Sequence, residues 1–241
     1  MVSKGQIKLI TGLQQKKYRE RHGLFVAEGP KVISELRKAG FEPTAFFSTD
    51  SRDVEYHDAQ EISEADLRKL SFLKTPNTSL AVFKIPENTM PKTKGLTVAL
   101  DAVRDPGNLG TIIRMCDWFG VTQLLCSEDT ADCYNPKVVQ ATMGSIARVS
   151  VHYVDLKSLL NEIQLPVLAA CMEGSNVYRE ELPQDAVLVM GNEANGISPG
   201  ILEVVSKRIT IPQFGQQETE SLNVATATAI LLSEFRRSTE R

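Results

Sequence analysis

Leu96-Thr-Val-Ala-Leu-Asp-Ala-Val-Arg-Asp-Pro-Gly-Asn-Leu-Gly-Thr-Ile-Ile-Arg114 decides the reading of this chain. Its first five residues form an unbroken apolar run with the length of a strand buried on both faces. A polar turn with Pro106 and Gly107 follows, and the spacing then predicts a helix over 108–119. At about 100° per residue, Leu109, Ile112, Ile113, Cys116 and Phe119 share one face of it. A buried strand leading through a tight loop into a helix is the repeating unit of parallel α/β sheets. Ligands of such sheets gather in the loops at the carboxyl ends of the strands.

Working outward, further strands are expected at Gln123–Cys126, Val167–Ala170, Ala186–Met190 and Arg208–Ile211. Helical stretches over 136–143, 155–163, 198–205 and 221–237 alternate with them. The expected fold class is therefore α/β, with a mostly parallel sheet covered by helices on both faces. Upstream, residues 3–22 read as helical, Leu24–Ala27 as a strand, and Pro30 opens a helix that stops at Gly40. Thr44–Ser48 and Leu80–Ile85 read as strands and 64–70 as a helix. The run Pro86–Gly95 has two prolines, lysines and few apolar residues, the composition of a linker. The expected organisation is a smaller α/β domain over 1–90, a linker over 91–95 and a second domain over 96–241.

The chain has 241 residues, 42% of them hydrophobic and 24% charged, as in soluble globular proteins. That excludes disordered, collagen-like and disulfide-scaffold classes. No apolar run approaches the ~20 residues of a membrane span, and the start lacks the apolar core of a signal peptide. Cys116, Cys126, Cys133 and Cys171 are irregularly spaced and read as reduced thiols of a cytoplasmic protein. There is no P-loop, no G-x-G-x-x-G after Leu100 and no H-E-x-x-H. His22, His57 and His152 are scattered, so neither a histidine-centred triad nor a metal centre is expected.

Charge is uneven. Residues 1–94 hold 16 Lys+Arg against 12 Asp+Glu, net +4, and residues 95–241 hold 11 against 18, net −7. Lys16, Lys17, Arg19 and Arg21 bunch at the end of the first helical stretch. The cluster reads either as a contact for a polyanion or as a solvated basic helix face.

Three loops of the second domain carry candidate chemistry. In the first, Asn108 stands at a helix start, where it is either a cap or a site residue. Arg114 lies off the apolar face, beside a second, semi-apolar face of Thr111, Met115 and Trp118. It is either a solvated arginine or a residue near a subunit interface. The second loop is Val189-Met-Gly-Asn-Glu-Ala-Asn-Gly196, in which the glycines are either turn residues or allow close approach of a ligand. The third is Ile211-Pro-Gln-Phe-Gly-Gln-Gln-Glu-Thr-Glu-Ser-Leu-Asn-Val224, entering a helix rich in small residues.

Taken in order, Asn108-x-Gly-x-x-x-Arg114, Gly191-Asn-Glu-x-x-Gly196 and Ile211-Pro…Ser221-Leu-Asn-Val224 closely resemble the SpoU/TrmH family of RNA ribose 2′-O-methyltransferases. The likeness runs over about 130 residues. Lys16-Lys-Tyr-Arg-Glu-Arg-His-Gly-Leu-Phe-Val-Ala-Glu-Gly29 is similar to the RNA substrate-binding domain, itself like small ribosomal proteins, that precedes some family members. The resemblance implies a methyltransferase domain of the SPOUT class with a C-terminal trefoil knot, working as a homodimer on S-adenosylmethionine without metal. It implies catalytic positions at Asn108, Arg114, Glu193, Ser221 and Asn223. Cofactor positions would be Met190, Gly191, Asn192, Gly196, Ile211 and Leu222, and RNA contacts Lys16, Lys17, Arg19 and Arg21. Arg114 would orient the ribose and stabilise the developing alkoxide, since guanidinium groups stay protonated in proteins. Glu193 would orient Arg114 through a bidentate pair. Ala225 after Val224 and Phe214 in the third loop depart conservatively from many relatives. Ribosomal RNA is the expected substrate and transfer RNA the alternative. A non-catalytic RNA-binding or ribosome-assembly protein on the same scaffold is the reading from a different class.

Overall fold

The computed structural model describes residues 2–50, 59–87, 89–91, 94–215 and 221–237. The chain forms two compact units. One is Met1–Glu87 with Asp132–Arg148, the other Asn88–Ala131 with Val149–Arg241.

In the first unit, α1 (Lys4–Gly12) starts in a capping box: Gln6 N–H donates to Ser3 Oγ at 3.2 Å, and Ser3 N–H to Gln6 Oε1 at 2.9 Å. The single helix expected over 3–22 is two, because α2 (Lys16–His22) starts afresh after a break at Leu13–Gln15. Leu13 is buried at that break, and Arg19 from α2 closes it. Its Nη1 donates to the Leu13 and Gln14 carbonyls at 2.8 and 2.9 Å. Then follow β1 (Leu24–Glu28), α3 (Pro30–Lys38), β2 (Pro43–Ser48), β3 (Gln60–Glu61), α4 (Glu64–Leu70) and β4 (Ser79–Lys84). Their sheet has the order β1-β4-β2-β3, with β4 antiparallel to β1 and β2, and β3 parallel to β2. One face packs Val26, Phe47, Leu80 and Val82 against Ile10 and Leu13 of the α1 region and Leu67 and Leu70 of α4. On β1, Phe25 stacks on Phe83 with ring centres 5.7 Å apart, and Tyr134 approaches Phe25 at 4.8 Å.

Tyr134 belongs to Asp132–Arg148, which the sequence reading assigns to the second domain and the structure packs into the first unit. The physical ties are specific. Arg19 donates from Nε and Nη2 to Asp132 Oδ2 at 2.9 and 2.5 Å. Arg148 donates to Glu35 at 2.7 Å. At Gly144, with φ +98°, a Cβ would stand 2.6 Å from that of Glu35, so only glycine lets the segment lie this close. The same segment contributes α6 (Pro136–Ala141), two residues shorter than expected, and a 3-10 turn at Ser145–Ala147.

The second unit holds β5 (Leu96–Leu100), α5 (Pro106–Trp118), β6 (Gln123–Cys126), β7 (Ser150–Tyr153), α7 (Leu156–Glu162), β8 (Val167–Asn176), β9 (Ala186–Met190), α8 (Pro199–Leu202), β10 (Lys207–Thr210) and α9 (Val224–Arg237). Its six strands are all parallel, in the order β10-β8-β9-β5-β6-β7. The deciding run Leu96–Leu100 is central and buried throughout. The edge strand β7 was not expected, and β8 runs six residues beyond the strand read from the sequence. Leu156, Leu160, Ile197 and Ile201 pack with Ala99, Leu125 and Val189 in one apolar cluster. Helix α9 lies against α5, and its Arg236 donates to the Phe119 and Gly120 carbonyls that end α5, at 2.7 and 3.2 Å. None of the four cysteines is in a disulfide, and burial pushes the Cys116 thiol up to about 12. No helix among the described residues is long and apolar enough to cross a membrane.

Candidate active site

The helix after β5 begins two residues earlier than expected, because Asp105 is its cap. Asp105 Oδ1 accepts from Asn108 N–H at 2.8 Å and Pro106 fills the first turn. Asn108 is therefore not the cap, and its side chain is released toward the other two loops. Its Nδ2 donates to Glu193 Oε1 at 2.8 Å, and its Oδ1 accepts from Asn223 Nδ2 at 2.9 Å. Asn223 in turn starts α9: its Oδ1 accepts from the N–H groups of Ala225 and Thr226 at 3.0 and 3.2 Å. One relay of side-chain amides thus joins three segments distant in sequence and ends on a carboxylate. Each amide uses both its donor and its acceptor, so the rotamers are fixed.

Glu193 sits in the turn Gly191–Gly196, closed by backbone bonds between Asn192 and Gly196 of 2.9 Å in both directions. The turn is tight. A Cβ on Gly191 would lie 2.5 Å from Ile197 N, closer than atoms pack. The Asn192 side chain spans the turn and the loop before α5. Its Oδ1 accepts from Ala194 and Asn195 N–H at 2.9 and 3.0 Å, and its Nδ2 donates to the Ala102 carbonyl at 2.7 Å. Asp101, buried, accepts from Ser198 N–H at 2.6 Å. The sequence reading leaves the glycines of this loop as turn residues or a ligand approach and gives Asn192 as a cofactor position, but the long-range partners of Asn192 and Asp101 are not legible in it.

Beside this turn lies a cavity of about 690 Å³, within the size range of small-molecule sites. Met190, Gly191, Asn192, Gly196, Ile211 and Leu222 all line it, as do Glu193 and Ser221. Residues that sequence reasoning missed as site residues complete the wall: Ala170 at the end of the expected strand, Cys171 and Met172 from the unexpected extension of β8, and Ala227 and Leu231 from α9. Burial raises the Cys171 thiol above its usual range, with Arg208 opposing in part.

Arg114 is placed differently. It is exposed on the outward face of α5 and makes no hydrogen bond or ion pair among the described residues. The expected Glu193–Arg114 pair is absent. Arg114 lies about 120° around the helix from Asn108, so a carboxylate bonded to the Asn108 amide faces away from it. Trp118, 82% exposed, is on the same face as Arg114 and Thr111.

Of the basic cluster, Lys16, Lys17 and Arg21 are exposed on α2, with Lys16 3.8 Å from Glu20 and Lys17 over the Tyr18 ring. Arg19 is a correction to the expected set of RNA contacts. Its side chain is 2% exposed and committed to Asp132 and two carbonyls, so it cannot meet a phosphate.

Residues 95–233 match the SpoU rRNA Methylase family, and residues 4–81 match the MRM3-like substrate binding domain. The 23S rRNA (guanosine(2553)-2′-O)-methyltransferase RlmP of Bacillus subtilis is 31% identical, over 93% of this chain and 93% of that protein. Among solved structures, a TrmH-family protein from Porphyromonas gingivalis superposes with a TM-score of 0.91 at 38% identity, covering 99% of both chains. The AdoMet-bound rRNA methyltransferase of Sinorhizobium meliloti gives 0.87 at 28% identity, covering 99% of this chain and 97% of that one. With the three loops brought together as described and the match spanning both units, the chain belongs to the SpoU rRNA methylase family and carries an MRM3-like substrate-binding domain.

Proposed function

We infer that this protein transfers the methyl group of S-adenosylmethionine to a ribose 2′-hydroxyl of ribosomal RNA. One observation carries the reading: Glu193 and Ser221 stand on the rim of an apolar cavity beside the Asn108–Asn223 relay, in a chain of this family. The Bacillus and Sinorhizobium relatives, matched along nearly their full lengths, are rRNA methyltransferases by name, and the second is AdoMet-bound.

S-adenosylmethionine supplies a methyl group already activated as a sulfonium, so the protein's work is positioning and charge stabilisation. Met190, Ile211 and Leu222 offer apolar wall suited to an adenine, and the backbone of Gly191, Asn192 and Gly196 offers the polar edge. Glu193, aimed by Asn108, is an anionic group of the site. Ser221 and Asn223 hold the ribose or its phosphate. Arg114 pairs with a phosphate and stabilises the alkoxide as the hydroxyl proton leaves. It reaches the site in a homodimer in which a second copy covers the α5 face of Thr111, Arg114 and Trp118. The 82% exposure of Trp118 supports that cover. The order β10-β8-β9, with α9 returning against α5, supports a C-terminal trefoil knot. Lys16, Lys17 and Arg21 of the 1–90 domain contact RNA phosphates, and the reaction runs in the cytoplasm, in keeping with cysteines free of disulfides.

The test is calorimetric titration of S-adenosylmethionine, followed by methyl transfer to ribosomal and to transfer RNA in the presence of a chelator. The reading expects saturable binding and transfer to ribosomal RNA undiminished by chelation. Binding without transfer to either RNA would favour the ribosome-assembly alternative, and transfer to transfer RNA alone would move the substrate.

A further inference from the structure

We propose that Asn192 is a positioning residue for methyl transfer, acting by holding Ala102 in a left-handed backbone conformation that aims Asn108 at Glu193. The inference rests on the methyltransferase reading above and deepens it.

Ala102 has φ +58°, and only one other non-glycine residue among those described, Met143, has positive φ. An L-residue adopts that conformation at a cost, and it persists where neighbours hold it. Ala102 is held at both its peptide groups. Its N–H donates to Ser127 Oγ at 2.9 Å, and its carbonyl accepts from Asn192 Nδ2 at 2.7 Å. Just upstream, Asp101 N–H donates to the Met190 carbonyl at 2.9 Å, and Asp101 Oδ2 accepts from Ser198 N–H at 2.6 Å. These bonds set the path of the six residues that lead to Asn108.

The two ends of the Asn192 amide therefore do different jobs. The oxygen shapes the turn that carries Glu193, through Ala194 and Asn195 N–H. The nitrogen fixes the loop that carries Asn108. A single side chain thus sets both partners of the 2.8 Å Asn108–Glu193 bond. No donor other than Asn192 Nδ2 is seen on the Ala102 carbonyl among the described residues, so its loss leaves the strained conformation unsupported on that side.

Asn192→Asp separates the two jobs. The carboxylate keeps an oxygen for the turn but turns an acceptor toward the Ala102 carbonyl, which repels it. Ala102→Gly supplies the complement, because glycine adopts positive φ without steric cost. The experiment measures kcat and KM for methyl transfer to ribosomal RNA from cells lacking the gene, S-adenosylmethionine affinity by calorimetry, and melting temperature. It uses full-length wild type, Asn192→Asp, Ala102→Gly and the double variant. The expected result is a fall in kcat of about 10- to 100-fold for Asn192→Asp, with cofactor affinity within about 3-fold and melting little changed. This is the scale of loss from a misplaced catalytic group. Ala102→Gly in the Asn192→Asp background is expected to recover at least 5-fold of that loss. Singles that simply multiply in the double variant, or an Asn192→Asp enzyme with wild-type kcat, would overturn the proposal. If Asn192→Asp does not fold, Ala102→Val carries the test. A branched side chain opposes positive φ most, so kcat must fall with Asn192 intact, and a wild-type rate there overturns the proposal equally. A wild-type protein that transfers no methyl to RNA would instead sink the functional reading itself.

Discussion

Asp132→Ala removes the counter-charge of an arginine that the fold has taken out of water. Arg19 is 2% exposed, and its Nε and Nη2 both donate to Asp132 Oδ2. After the substitution the guanidinium keeps only the Leu13 and Gln14 carbonyls and no anion. Removing one partner of a buried pair costs about 3–5 kcal/mol, because the remaining charge stays desolvated. Asp132 is itself 16% exposed, which admits water to the gap and places the expected loss at about 3 kcal/mol. That is a large share of a typical domain's roughly 5–15 kcal/mol. Urea unfolding followed by circular dichroism measures it. Arg19→Met added to Asp132→Ala removes the stranded charge, so the double variant is expected to be about 1 kcal/mol or more stabler than Asp132→Ala alone. A loss below about 1 kcal/mol for Asp132→Ala, or a further full-sized loss in the double variant, would refute the view of Arg19 as a structural residue.

The salt dependence of RNA binding separates Arg19 from its neighbours: replacing Lys16, Lys17 and Arg21 by Gln is expected to flatten the slope by up to about 0.9 per lost phosphate contact on duplex, or about 0.7 on single strands, while Arg19→Met leaves it unchanged. Arg114→Ala is expected to leave cofactor affinity nearly unchanged and slow methyl transfer by about 10²-fold or more. Arg114→Lys should recover little of this, since a point charge does not replace a planar fork. Sedimentation at micromolar concentration should give a dimer, and a fully active monomer would remove the α5 interface. Burial holds the His152 imidazole below the usual histidine range, with the Thr89 backbone opposing in part. The unfolded chain therefore takes up this proton near pH 6.5 while the folded one does so only at lower pH. Stability is expected to be unaffected by this group above that pH and to fall as pH drops below it, and His152→Phe should flatten that part of the curve.

The legible parts of the chain were those whose signal is local. Leu96–Leu100 and Ala186–Met190 are continuous apolar runs, and both are strands of the stated extent. Where several local signals competed, boundaries moved. Position alone leaves Asn108 as a cap or a site residue, but Asp105, three residues before the expected start, caps the helix, and this frees the Asn108 amide for Glu193. The strand Ser150–Tyr153 is short, mixed in polarity and at a sheet edge, so no period marks it. The second half of β8, from Cys171 on, is polar and partly exposed, and its place in the cavity wall went unread with it. Long-range pairing was illegible. A basic cluster read from sequence treats every charge as solvated, yet the partner of Arg19 is 113 residues away. The same limit hid the bond from Asn192 to Ala102, 90 residues apart.

Nucleoside analysis of the product tests the central claim most directly. Purified protein is incubated with methyl-labelled S-adenosylmethionine and ribosomal RNA from cells lacking the gene, and the RNA is digested to nucleosides. The account predicts label in a 2′-O-methylated nucleoside, at a rate that falls sharply when Asn108→Ala unties Glu193 from Asn223. Label on a base, or a rate indifferent to Asn108→Ala, would contradict it.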